Sequence, residues 1–464
     1  MDKDTICAVS TPPGQGGIAV VRVSGTSAIP VCDAVFVAAN KEKLANQQPY
    51  TIHLGKIYRG NEVLDEVLAS VFRSPHSYTG EDIVELACHG SAYIQQELLK
   101  LLVDQGCRLA TAGEFTLRAF LNNKMDLSQA EAVADLITSS SEASHRLAVN
   151  QMRGGFSRKL QELRAQLLNF LALLELELDF SEENVAFADR KQLSLLAKDI
   201  RKVVSRLINS FSLGNAIKNG IPVVIVGETN AGKSTLLNHL LNEDRAIVSD
   251  IHGTTRDAIE DVVNIHGIVF RFIDTAGLRE TDDELEIIGI ERTYEKIEQA
   301  SIVIWMIDST QFTEKIDKIA EQIVSRTKDK KLIIVFNKVD KINTEEQSVL
   351  EEEFLPDVKT TRIYLSAKFK QNTEKLEKAL LDAANLPKMK ENDVVVTNLR
   401  HYEALKLALE AIDRVIAGLK RGLSNDLLCR DIRDCNLHLA SILGGEITND
   451  EVLKTIFERF CIGK

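Results

Sequence analysis

Apolar residues recur along this chain in two rhythms, and the rhythm changes near residues 120, 217 and 384. The first 120 residues carry short β-branched runs: Ile18-Ala-Val-Val-Arg-Val23, Thr51-Ile-His-Leu-Gly-Lys-Ile-Tyr58 and Glu66-Val-Leu-Ala-Ser-Val-Phe72. A helix-period stretch follows, Ser91-Ala-Tyr-Ile-Gln-Gln-Glu-Leu-Leu-Lys-Leu-Leu102, so strands plus helix predict an α+β domain over residues 1–120. Thereafter the spacing becomes threes and fours. Leu160, Leu163, Leu167, Leu171, Leu174 and Leu178 make one stripe, and Leu193, Leu196, Ile200, Val203 and Leu207 a second. A third, Tyr402, Leu405, Leu409, Ile412, Ile416 and Leu419, comes only after residue 384. Each predicts an amphipathic helix of several turns. Helices on both sides of an interruption predict one bundle, made of residues 121–216 and 384–464, with residues 217–383 inserted. The joints fall at Ser210-Phe-Ser-Leu-Gly-Asn-Ala-Ile-Lys-Asn-Gly220 and Asn385-Leu-Pro-Lys-Met389.

Inside the insertion the runs are short, apolar and uninterrupted: Ile221–Val226, Val269–Ile273, Lys331–Phe336 and Arg362–Leu365. Such runs suit buried parallel strands, so the insertion reads as a doubly wound, mostly parallel sheet in a multidomain α/β chain. A polar motif follows each run. After the first, Asn230-Ala-Gly-Lys-Ser234 completes Gly-x-x-x-x-Gly-Lys-Ser and leads into a helix beginning Ser234-Thr235. A glycine loop opening a helix gathers backbone N–H groups around phosphates; Lys233 reaches the outer ones and the Ser234 hydroxyl suits Mg²⁺. After the second comes Asp274-Thr275-Ala276-Gly277, a carboxylate for the Mg²⁺ shell and an amide for the terminal phosphate. Between them lies a switch loop, Ser249-Asp250-Ile251-His252-Gly253-Thr254-Thr255-Arg-Asp257. Thr255 completes Mg²⁺ coordination only when the terminal phosphate is present. After the third comes Asn337-Lys338-Val-Asp340, whose carboxylate matches guanine N1–H and its amino group; adenine would leave it unpaired, a discrimination worth roughly 10⁴-fold. After the fourth, Ser366-Ala367-Lys368 brings backbone N–H groups near guanine O6. The five motifs in this order imply a GTP-hydrolysing switch.

The position after Asp-x-x-Gly is Leu278, which cannot orient water. An arginine finger is worth roughly 10³–10⁵ in rate, so its function needs a substitute. Arg256 and Arg279 are candidates, set against the reading that both are solvated loop arginines. Asn230 with carbonyls near Ser249 and Ile251 could hold a monovalent cation instead. Water orientation could fall to an acid in Asp282-Asp-Glu-Leu-Glu286, a run that also reads as a charged helix start.

With 56 basic and 68 acidic residues, the net charge of −12 argues against a whole-surface polyanion binder while allowing a local basic patch. The first ten residues form no export signal and no apolar run approaches membrane-spanning length, which fits a cytoplasmic protein with no membrane association. Seven scattered cysteines form no close metal-ligand pair. His89 reads as a structural histidine beside a turn. Cys461-Ile-Gly-Lys464 is a poor prenylation box; it is either a frayed end or a short tail able to plug into a site.

Asn-Ala-Gly-Lys-Ser, Gly-Thr-Thr-Arg-Asp and Asp-Thr-Ala-Gly-Leu-Arg-Glu together resemble the MnmE (TrmE) family of tRNA modification GTPases. Thr11-Pro-Pro-Gly14, Tyr78-Thr-Gly-Glu-Asp82, Gly113-Glu-Phe-Thr116, Arg118-Ala-Phe-Leu-Asn122 and the closing Phe-Cys-Ile-Gly-Lys extend the likeness over the whole chain. Thr229 departs from it, standing where the family usually has proline. The resemblance implies an N-terminal domain that dimerises and binds a tetrahydrofolate one-carbon donor, with Arg22, Glu85, Lys124 and Lys464 at the folate contacts and Cys461 near them. It implies potassium at Asn230, Ser249, Ile251 and Thr254, pairing of two switch modules, and Glu286 as the water-orienting acid. With a flavin-dependent partner of the MnmG type, which carries the FAD, such proteins place a (carboxymethyl)aminomethyl group on C5 of the wobble uridine of certain tRNAs. Two rival classes are a ribosome-assembly GTPase and a purely regulatory switch, neither with modification chemistry.

Overall fold

A computed structural model describes residues 4–179, 189–243, 260–273, 295–311, 314–354, 360–385, 394–445, 453, 456–458, 460 and 462–463. They divide into two compact units, one of residues 1–137, 149–204 and 404–464, the other of 138–148 and 205–403.

The first unit opens with seven strands: β1 (Ile6–Val9), β2 (Gly16–Ser24), β3 (Phe36–Ala38), β4 (Thr51–Arg59), β5 (Glu62–Phe72), β6 (Ile83–Gly90) and β7 (Arg108–Leu109). Their order is β3-β4-β5-β6-β2-β1-β7, antiparallel except for the β1–β7 pair. Alternation gives the sheet one dry face, where Val21, Val23, Val67, Val71, Val84 and Leu86 pack under helices Ala28–Val35 and Ala92–Asp104. This is the expected α+β architecture. Strand β6 did not stand out in the sequence because Glu85 and His89 interrupt it, yet it lies between β5 and β2.

The helical part of this unit pairs Gly155–Asp179 with Asn425–Leu443. Leu160, Leu163, Leu167, Leu171 and Leu174 are buried as their spacing requires, whereas Leu178 is 37 % exposed, so the stripe ends a turn early. On helix Arg190–Asn209 the buried line is Leu193, Ala197, Ile200, Val204 and Leu207; Leu196 and Val203 only flank it. On helix Leu399–Arg421 it is Leu405, Ala408, Ile412 and Val415, with Tyr402, Leu409, Ile416 and Leu419 half-buried. Counting bulky residues alone therefore rotates both stripes away from the wholly buried alanines Ala197 and Ala408.

In the second unit six strands, β8 (Ile221–Val226), β9 (Asp261–Ile265), β10 (Ile268–Phe272), β11 (Ile302–Asp308), β12 (Lys331–Asn337) and β13 (Thr361–Tyr364), form a sheet ordered β13-β12-β11-β8-β10-β9. All neighbours are parallel except the β9–β10 hairpin. Helices Lys233–Glu243 and Thr373–Ala384 cover one face; Glu314–Arg326 and Thr344–Glu353 cover the other. Covered on both sides, every residue of β11 is buried. Ser210–Gly220, read from sequence as a joint, instead contains a helix, Phe211–Asn219, with Phe211 stacked on Tyr402 at 4.5 Å.

Candidate functional site

The motifs within the described residues, after β8, β12 and β13, collect at the carboxyl ends of the parallel strands, where open α/β sheets bind ligands. The loop after β8 passes through left-handed backbone at Asn230 (φ 64°) and Gly232 (φ 99°) before helix Lys233–Glu243 begins. Gly232 is required there twice over, because a Cβ would also lie 2.2 Å from Asn337 Nδ2. Asn337, at the end of β12 and 3 % exposed, donates from Nδ2 to the Ala231 carbonyl (2.7 Å) and accepts at Oδ1 from the Ala367 amide (2.9 Å). One side chain thus fastens the phosphate loop to the loops after β12 and β13.

Lys233 donates from Nζ to the carbonyls of Gly227 (2.9 Å) and Glu228 (2.7 Å), and burial lowers its pKa against the pull of the Glu228 charge. Ser234 beside it is half-buried, Thr235 exposed and Ala231 buried. Asp340 is exposed and accepts from Ser366 Oγ at 2.5 Å. The Ser366 and Ala367 amides are engaged within the protein, by Gln371 O and Asn337 Oδ1. Lys368 is exposed over the Phe369 ring.

Sequence reasoning missed Asp308. It ends β11 in register with Asn337 and is 6 % exposed. Its carboxylate takes Lys338 Nζ and the amide and hydroxyl of Thr310. Burial alone would raise its pKa, but the ammonium and the Thr310 donors outweigh that and hold it low. An acid closing an apolar run, as Asn337 closes its own, was the available signal. Ser249, Asp250, Ile251, His252, Gly253, Thr254, Thr255, Asp274, Thr275, Ala276, Gly277 and Glu286 lie outside the described residues, as do Arg256, Leu278 and Arg279.

A second site lies on the first unit. Arg22 and Glu85 face each other across β2 and β6, with Nε and Nη2 both 2.8 Å from Glu85 Oε1. The guanidinium lies 5.5 Å from the ring centres of Tyr78 and Phe115. It also meets the Gly463 carbonyl at 3.5 Å, and the Ser10 hydroxyl donates to the same oxygen at 3.1 Å. Gly463 (φ 93°) fits because it has no Cβ; one would stand 2.1 Å from Val9 O. The segment at 462–463 is thus packed in place rather than frayed. Lys124 donates to Pro75 O (2.9 Å), in the turn that carries Tyr78; Cys461 and Lys464 lie outside the described residues. Beneath, Glu114 accepts from Arg108 Nη2 (2.6 Å), Arg118 Nη2 (3.1 Å) and the Thr111 amide (2.8 Å). Arg118 also reaches Glu81 and Asp4. Burial pushes the Glu114 carboxyl up, but these donors outweigh it and leave it below the usual range. His89 holds Asp65 with Nδ1 at 2.7 Å, a structural contact.

A phosphate loop tied by a buried asparagine to a guanine-type recognition loop, at the carboxyl edge of a parallel sheet, defines a P-loop GTPase. Comparison with known proteins narrows the class. The family model described as the MnmE helical domain matches residues 127–461, and that described as the GTP-binding protein TrmE N-terminus matches residues 5–124. The tRNA modification GTPase MnmE of Bacteroides thetaiotaomicron is 58 % identical over 468 residues, covering all of both chains. Those of Bacteroides fragilis and Parabacteroides distasonis are 58 % and 55 % identical, the latter over 99 % of this chain and all of the relative. The chain belongs to the MnmE family of tRNA modification GTPases.

Proposed function

We propose that this chain hydrolyses GTP to drive modification of the wobble uridine in certain tRNAs, together with a flavin-dependent partner that brings FAD, using a tetrahydrofolate-derived carbon to build an aminomethyl-type group on C5. The observation that carries this reading is the Arg22–Glu85 pair under two aromatic rings and against Gly463. A switch that only recruits effectors, or a ribosome-assembly factor, has no use for such a polar cluster on its N-terminal sheet.

The residues present fit a pterin-like ligand. Both Arg22 contacts fall on Oε1 of Glu85, which leaves Oε2 to accept from an aminopyrimidine edge; half-buried Tyr78 offers an aromatic face beside it, and Phe115, wholly buried, backs the guanidinium from the core. Arg22, Glu85, Lys124 and Lys464 would hold the folate, with Cys461 beside it; the folate supplies the one-carbon unit. Lys233 and the amides of residues 231–235 would hold the phosphates, and Asp340 the guanine edge. Lys233 must exchange the carbonyls of Gly227 and Glu228 for phosphate oxygens, a trade that restores full charge pairing to a partly buried ammonium. Ser234 and Thr255 would hold Mg²⁺, which neutralises phosphate charge. Asn230, with Ser249, Ile251 and Thr254, would hold potassium, whose charge stands in for an arginine finger. Glu286 would orient water in place of Leu278.

The domain limits we propose are residues 1–120, 121–216 with 384–464, and 217–383. Pairing of two copies through the N-terminal sheet agrees with its outer face, where Ile52, Leu54 and Leu68 are 66 %, 51 % and 44 % exposed and Leu54 lies opposite Leu68. Among the described residues no helix is long and apolar enough to cross a membrane. The deciding experiment is a tRNA nucleoside profile from cells lacking this chain: loss of the modified wobble uridine is expected, and an intact profile with abnormal ribosomal particles supports the rival. Hydrolysis should run at least tenfold faster in potassium than in sodium, and equal rates would remove the cation from the mechanism.

A further inference from the structure

The chain is acidic as a whole, at −12, yet helix Arg190–Asn209 carries six basic residues (Arg190, Lys191, Lys198, Arg201, Lys202 and Arg206) against one acid, Asp199. In the first unit this helix and Leu399–Arg421 enclose a groove of about 610 Å³. Ile416 and Ala417 line it with Lys198, Arg201, Lys420 and Arg421, and Asp413 is its one carboxylate. Asp413 accepts from Arg201 Nε at 2.6 Å, which fixes that guanidinium in the groove and leaves three lining cations beyond the pair. Lys198 and Arg201 are one helical turn apart, so their side chains share a face, and Lys420 and Arg421 end the facing helix. Nothing in GTP hydrolysis or folate binding uses these residues.

We propose that this groove binds the phosphate backbone of the substrate tRNA. Four cations in a groove with an apolar floor suit a polyanion with phosphates roughly a helical turn apart. The long, exposed side chains can follow a curved strand without reading bases, as backbone contacts do. A small anion needs convergent, buried donors; here Lys198, Arg201, Lys420 and Arg421 are all exposed and spread along two helices. The inference deepens the tRNA reading above and rests on it.

The test uses full-length protein and unmodified tRNA, with affinity measured by anisotropy from low to moderate salt. Replacing Lys198, Lys420 and Arg421 together by alanine should weaken tRNA at least tenfold and reduce the slope of log K against log salt by about 2, at roughly 0.7–0.9 per phosphate contact. GTP hydrolysis without tRNA should stay unchanged. Exchanging Lys198 and Lys420 for arginine should keep wild-type affinity, which separates charge from packing. Equal tRNA affinity and slope in the alanine variant overturns the groove alone. So does loss of flavoprotein-partner binding with tRNA binding intact. Wild-type protein that binds no tRNA even at low salt overturns the tRNA reading as well.

Discussion

Asn337 gives both ends of its amide to other loops, Nδ2 to Ala231 O and Oδ1 to Ala367 N. Replacement by alanine would orphan a buried carbonyl and a buried amide at the rim of the nucleotide site, at about 1–3 kcal/mol each. The expected result for Asn337→Ala is a loss of ten- to a hundredfold or more in GDP affinity, read with a fluorescent nucleotide, with the fold retained. From sequence, Asn337 is visible as part of a guanine motif. Its binding role to two loops is not, because its partners lie 106 and 30 positions away. Glu114 teaches the same lesson: its motif is legible, its ion network with Arg108 and Arg118 is three-dimensional. Because those arginines depress its folded pKa, its stabilisation is complete above the ordinary glutamate value of about 4.3 and fades as pH falls through the lower folded value. Glu114→Gln should therefore cost about 3 kcal/mol at pH 7 in urea unfolding, and the gap to wild type should begin to narrow only as pH falls below the ordinary glutamate range and close below the lower folded value.

Elements were legible where one residue type carries the pattern. The leucine spacing of Gly155–Asp179 marks its buried face almost to the end, since large apolar side chains dominate burial. Where alanine carries the contact, size misleads. Ala408 is wholly buried while its neighbour Leu407 is 46 % exposed. Ala408→Leu should overpack the helix and cost about 1–3 kcal/mol, whereas Leu407→Lys should change stability by less than about 0.5 kcal/mol, both read from chemical denaturation. Strand β11 passed unnoticed because no polar motif of the set follows it, although it is the most completely buried strand of its sheet and delivers Asp308. Helix Phe211–Asn219 reads as a joint from sequence because the glycines and asparagines at 214, 215, 219 and 220 punctuate it as turn residues do. Gly214 instead admits the Val396 backbone, whose carbonyl would stand 2.1 Å from a Cβ.

At the scale of the molecule, the multidomain α/β plan and the inserted parallel sheet follow from where the apolar rhythm changes, while strand order does not. Order is set by long-range pairing, such as β2 lying between β6 and β1. The outer face of that sheet bears on assembly. Leu54→Asp would put a charge beside Ile52 and Leu68 in the face we propose for the partner copy, and should shift the protein to monomer in solution scattering while leaving GTP affinity unchanged. A variant that remains dimeric would assign the contact elsewhere. Ser10 waits 453 positions for the carbonyl it donates to. On a ribosome, Val9, Ser10 and Arg22 emerge early, and the glycine that lies against them emerges after the whole nucleotide engine has been made. A chain cut before residue 463 would leave the Ser10 hydroxyl and the Arg22 guanidinium without the carbonyl that both meet.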